Sequence, residues 1–226
     1  MTNSTATKEK RRLRWPRLAL SEAKYRWVGR GTLVLAPLLA FSLVEYLNYN
    51  DPWQDFSPVQ IGLNLIWYYL LEMIFYYIRG RRVSAAKWAL GIAWGLGMTN
   101  HYLISFRGRT LFPGDFLTLG TALNVAGGYD YSLDQMQLNT LLILVLALLA
   151  LSLLPKEERI PFAWQRFLPP VGIAGVVLAV FFCTGFVENQ GIEPSMWTTR
   201  GNGLALNFSV CLKYMRVEKP EGYSGE

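Results

Sequence analysis

Three ionisable residues stand inside otherwise apolar stretches: Glu45, Glu72 and His101. An ionisable group that must sit in hydrocarbon is costly, and such groups often belong to a proton relay, an ion path or a substrate site. Glu45 lies near the end of the first stretch and His101 near the end of the third, so both are expected to reach water. Glu72 is deeper in the second, a turn or two before Arg79 at its end. It can serve in a relay, or it can snorkel or pair along its own helix. One carboxylate and one distant histidine do not make a transport pathway. A second group, Arg107, Arg109 and Asp115, follows the third stretch. A guanidinium binds a lipid phosphate in a planar, two-pronged way that lysine cannot match. Asp115 can hold one of the arginines or cap a helix that follows. The plainer reading is generic anchoring to anionic headgroups.

No P-loop, GxSxG, HExxH or carboxylate-rich metal cluster is present, so no catalytic or metal-ligating residue can be nominated. Cys183 and Cys211 belong to no CxxC or other ligand spacing. They are expected to be two unpaired, buried small residues, with a disulfide the chemically open alternative.

These groups need elements to position them, and composition says which. The 226 residues are 52% hydrophobic and only 17% charged, against roughly 25% charge in a soluble domain. A segment that crosses hydrocarbon needs about 20 mostly apolar residues. Five stretches qualify: 31–47, 59–78, 85–104, 138–154 and 170–187. The expected fold is an all-α membrane protein, a bundle of five transmembrane helices with short interfacial helices on the outer side. The expected domains are a basic cytoplasmic segment (1–30), a five-span region (31–187) and an extracellular juxtamembrane helix and linker (188–226). Ser132 and Gln135 have capping-box spacing before the fourth span. Pro169 and Pro170 suit the entry to the fifth. Gly91, Gly95 and Gly97 form a close-packing pattern on the third. Phe116, Leu119, Leu123 and Ala126 recur at helical spacing and predict a surface helix. Asn202 is placed to cap a helix carrying Leu204, Phe208, Cys211 and Met215.

Charge orients the bundle. Nine basic residues, from Lys8 to Arg30, precede the first span. With the N-terminus inside, cytoplasmic segments hold 16 Lys/Arg and outer segments hold 6. That bias predicts a cytoplasmic N-terminus and an extracellular C-terminus. The net charge of +6 is therefore a juxtamembrane feature suited to anionic lipid, and nucleic acid is not an expected partner.

The outer segments also carry a resemblance. The loop has Arg107-Gly108-x-Thr110, Pro113-x-Asp115, Thr121-Ala122, Val125-Ala126 and Tyr129. The tail has Asn202-Gly203, Asn207-Phe208, Lys213-Tyr214 and the run from Val217 to Ser224. From the first span onward the chain resembles the N-terminal membrane region of the lipoteichoic acid synthase family, phosphoglycerol transferases of the alkaline phosphatase/sulfatase superfamily. The resemblance implies a Gram-positive cell membrane, a role in cell-wall biogenesis and phosphatidylglycerol as a lipid partner. It implies an extracellular catalytic domain, in cis or in trans, that carries a threonine nucleophile and a divalent metal such as manganese or magnesium. That domain would begin where this sequence reaches Gly225-Glu226, so the chain is expected to be the anchor half, holding no cofactor of its own. The leading expectation is a membrane anchor and lipid-presenting module. The alternatives are a non-enzymatic membrane partner or scaffold, and a small transporter or flippase.

Overall fold

Apolar runs bounded by capping residues and glycines become helices. The computed structural model describes residues 18, 21–117, 120, 128, 131–155, 157–161 and 164–215. The basic cluster up to Arg17, the predicted surface helix through Leu119, Leu123 and Ala126, and the tail beyond 215 lie outside them.

Among the described residues all regular structure is helical. The elements are α1 (Glu22–Leu47), α2 (Pro58–Arg79), α3 (Arg82–Arg107), a 3-10 turn (Pro113–Phe116), α4 (Gln135–Leu153), α5 (Trp164–Cys183), α6 (Phe186–Asn189) and α7 (Leu204–Lys213). Five long helices thus stand where five apolar stretches were predicted. Three are long and apolar enough to cross a membrane, within Lys24–Leu47, Pro58–Arg79 and Gln135–Leu153. This fits a membrane protein. α3 is long but more polar. α5 contributes a shorter apolar run, Leu168–Cys183. α3 packs against α1, α2 and α4, and nine of its residues are buried.

The α1–α3 seam is built from small residues. Ala85, Ala89, Ala93 and Gly97 recur every fourth residue along the buried face of α3. Ala36, Ala40 and Val44 do the same on α1. Such ladders let two backbones approach closely. A Cβ on Gly97 would meet Val44 and Leu47 side-chain atoms at 3.2–3.3 Å, whereas Gly91 and Gly95 have nothing within 4 Å. The predicted GxxxG pair is therefore not the packing face. The alanine ladder, rotated away from it, takes that role.

Local punctuation differs from expectation at three places. α4 is capped by Asp134 and not Ser132: the Asp134 carboxylate accepts from the Gln137 amide at 2.7 Å, and Gln137 returns the bond to the Asp134 amide at 2.8 Å. Aspartate, a strong N-cap, moves the box two residues along. Pro169 and Pro170 fall inside α5, because the helix begins earlier, at Trp164. Each leaves one carbonyl of the first turns without its ladder donor. α7 is capped at Gly203 rather than Asn202. Asn202 instead donates to the Glu193 carbonyl at 2.7 Å.

The helices alternate in direction. The end of the bundle where α1 and α3 finish and α2 and α4 begin is termed distal, and the opposite end proximal. At the proximal end the segment after α4 docks on the α2–α3 turn. Glu157 accepts from the Arg82 amide and pairs with the Arg82 guanidinium at 3.4 Å, while the Ile160 amide donates to the Gly80 carbonyl.

Candidate functional site at the distal end of the bundle

The buried polar residues concentrate at the distal end. Glu45, Asn48, Asn50, Asn64, Asn100, His101, Thr110, Thr199, Asn202 and Asn207 are all buried there. Buried polar groups are tolerated where each finds a partner, and there the layer becomes rigid.

Glu45, from the last turn of α1, is fully enclosed rather than water-facing. One carboxylate oxygen accepts from the Leu204 amide at 2.8 Å, and the other from Asn50 Nδ2 at 2.8 Å. Asn64, two turns into α2, accepts from the Leu206 amide at 2.9 Å and donates to the Asn202 carbonyl at 2.6 Å. The N-terminus of α7 is therefore held by a carboxylate from α1 and an amide from α2. Both satisfy N–H groups that a helix start leaves unpaired, and the negative charge sits at the favourable end of the helix dipole. The fit leaves room only for glycine at 203. That residue has φ +79, and a Cβ would lie 2.8 Å from Asn64 and 3.0 Å from Glu45. Leu206 and Val210 then bury completely against Leu63 and Phe181. The tail helix is part of the core and not a helix lying on a surface.

Asn48 and Asn100 tie α1 to α3 at 2.6 Å, and Asn100 Oδ1 accepts from the Leu111 amide, also at 2.6 Å. His101 is likewise buried, in contrast to the expected access to water. Its Nδ1 lies 2.8 Å from the Leu47 carbonyl and its Nε2 3.2 Å from Asp134 Oδ2. Both ring nitrogens face acceptors. Tyr49, the one non-glycine residue among those described with positive φ, donates to the same Asp134 oxygen at 2.8 Å. Burial works against ionisation of Asp134, but the Gln137 amide, the Tyr49 hydroxyl and His101 outweigh it and hold the carboxyl below its ordinary 3.8.

At the rim, Arg109 grips Asp115 with both prongs of its guanidinium, one bond at 3.0 Å. The Phe112 amide donates to Asp115 at 2.9 Å, which closes the turn. Arg107 approaches the same carboxylate only to 3.8 Å. Burial raises the Asp115 pKa, yet the Arg109 bonds, the Phe112 amide and the two positive charges together leave it lowered. The structure thus brings Arg107, Arg109 and Asp115 together as one cluster. Glu45 and His101 lie in the polar layer beneath, and Glu72 is apart from both.

Glu72 sits in mid-span on α2, almost wholly buried, with no hydrogen-bond partner for either carboxylate oxygen among the described residues. The expected pairing along the helix does not occur there. Arg79 instead lies over the Trp88 ring at 5.1 Å. Cys183 and Cys211 are both free, with Cys211 buried and Cys183 exposed, contrary to the expected burial of both. Among the described residues no group of three or more His, Cys, Asp or Glu side chains is arranged to hold a metal ion.

Sequence reasoning missed the asparagines: Asn48, Asn64, Asn100 and Asn207 carry the layer. Their signal was present, since Asn64 interrupts an apolar stretch as plainly as Glu72 does.

No protein-family model, curated protein or solved structure matches the chain.

An apolar cavity of about 270 Å³ opens beside this layer, between α2, α3 and α7. Its wall includes Tyr68, Leu71, Leu96 and Phe208, together with Leu111 and Phe116 from the arginine-bearing segment. Chemically the distal end can hold an anion at its rim and an apolar chain below it.

Proposed function

We propose that this chain is the membrane anchor of a phosphoglycerol-transferase-like protein of the cell envelope. It crosses the membrane five times, with the N-terminus cytoplasmic and the distal end facing outward, and presents lipid to a catalytic domain above it. The observation that carries this reading is the clasp on α7. A tail that merely tethered a neighbouring domain would have no need of Glu45 and Asn64 from two different helices. Held this way, the exit from the bundle has a fixed position, and anything joined beyond it inherits that position. The resemblance in the outer loop and tail motifs supports the same assignment, as does the 16-to-6 partition of Lys/Arg.

The orientation is tested with single cysteines in a Cys183→Ser, Cys211→Ser background. Asp55→Cys and Arg200→Cys should react with a membrane-impermeant thiol reagent on intact cells, and Glu158→Cys only after lysis. Position 158 is the better probe on its segment, because the Glu157 side chain is tucked against Arg82. Labelling of 158 from outside would overturn the topology. The anchor role is tested by reading the gene beyond Glu226 for a metal-binding domain, and by assay. In phosphatidylglycerol liposomes with manganese this chain alone should release no diacylglycerol. Turnover abolished by a point substitution within the chain would refute the reading.

A further inference from the structure

We infer that the distal cavity is a phospholipid site that takes one acyl chain of an anionic, outer-leaflet lipid while Arg107 receives its phosphate. The inference rests on the reading that the distal end faces outward, and adds to it a site and a ligand class.

The cavity and the cationic cluster are two parts of one segment. Leu111 and Phe116 line the cavity, and Arg109 and Asp115 are their near neighbours in the chain. Phe116 meets Phe208 of α7 edge to face at 5.9 Å, so the same turn that carries the charges roofs the apolar space. Leu96 and Phe116 are 42% and 56% exposed, and the cavity therefore communicates with the flank of the bundle, where acyl chains lie. Its lining is almost entirely carbon, which suits hydrocarbon and not a hydrated solute.

Charge complementarity selects the occupant. Arg109 is committed to Asp115 through two bonds, and the pair is neutral. Arg107 is not committed in the same way: 3.8 Å is beyond hydrogen-bond range, and 32% of its side chain is exposed. The cluster thus keeps one net positive charge at the distal rim, beside the neutral pair that closes the turn. A neutral diacylglycerol would satisfy the cavity but not Arg107. A free phosphate would satisfy Arg107 but leave the cavity without use.

Photoreactive phosphatidylglycerol with a diazirine in one acyl chain, reconstituted with the full chain in phosphatidylcholine vesicles, tests this. Crosslinks should map to the peptides carrying Leu111 to Phe116 and Leu204 to Leu212. Ala205→Phe, which fills the cavity from its α7 wall, should remove most of them. Arg107→Ala should weaken labelling about tenfold, the loss of one charge-assisted hydrogen bond. Competing unlabelled phosphatidylglycerol should displace the probe, and inorganic phosphate and diacylglycerol should not. Crosslinks spread evenly over α2 and α4, or unchanged in a correctly inserted Ala205→Phe protein, would overturn the site. Should Ala205→Phe fail to insert, Phe208→Ala, which removes a wall of the cavity, should redistribute the crosslinks away from the Leu204 to Leu212 peptide, and an unchanged pattern would overturn the site. Reversed cysteine labelling with these crosslinks intact would instead refute the orientation alone.

Discussion

Glu45 and Glu72 are two carboxylates buried to nearly the same degree, and they differ in their partners. Glu45 meets an asparagine amide and a helix-start N–H. Glu72 meets no hydrogen-bond donor among the described residues. Burial alone therefore says little about what a charged residue does in this protein. At the distal end the polar side chains are matched across α1, α2, α3 and α7, and bonds such as Glu45 to Leu204, Asn64 to Leu206 and Asn100 to Asn48 join two elements. In mid-bundle the side chain joins nothing, so its cost is not offset by any contact formed. A matched group specifies geometry, and an unmatched one is a liability or is held for another purpose.

The comparison breaks most sharply under paired substitution. Glu45→Ala should destabilise the purified protein by about 3 kcal/mol, because it strands the Leu204 amide and Asn50 in a buried layer. Glu72→Leu should have the opposite sign and stabilise by roughly 1–3 kcal/mol, since it removes an unsatisfied carboxyl. Thermal unfolding in one detergent, with both variants run beside the parent, measures both. A destabilised Glu72→Leu protein would show that Glu72 has a partner after all and would reopen the relay reading.

A smaller effect is expected from glycines. Gly203→Ala should cost about 1–3 kcal/mol, from a left-handed backbone position that also faces Asn64 and Glu45. Gly91→Ala, on an open face of α3, should be neutral or stabilise by up to about 1 kcal/mol. The same unfolding assay reads both, and equal losses at the two positions would contradict the packing of α7 and of the alanine ladder.

The smallest effect is with pH. Asp115 and Asp134 have folded pKa values below the ordinary 3.8, and Glu188 is brought to about 2 from 4.5 by the Tyr214 hydroxyl, a backbone bond and Lys213. Depressed carboxyls stabilise the folded state above their unfolded pKa, and that contribution is lost as pH falls through the folded value. The distal end should therefore loosen between about pH 4.5 and pH 2. Hydrogen exchange at α7 and at the start of α4 should rise over that window before the α1–α3 seam responds. Simultaneous exposure of the seam would show that the distal layer is not a separate unit.

Much of this architecture is determined by the chain's residue pattern. Apolar length anticipates the five long helices, because it acts on each segment independently of its neighbours. The cluster of Arg107, Arg109 and Asp115 was legible for the same reason: its members lie within nine positions and meet through one turn. The tertiary structure alone decided the rest. Which small residues on α3 form the seam depended on helix rotation, and the alanine ladder and the GxxxG pair differ only in the face they present. Whether Glu45 reached water depended on α7, which lies more than 150 residues further along and brings its first amide to within 2.8 Å. A residue's partner in a helical bundle is set by rotation and depth, and neither is written in the segment that carries it.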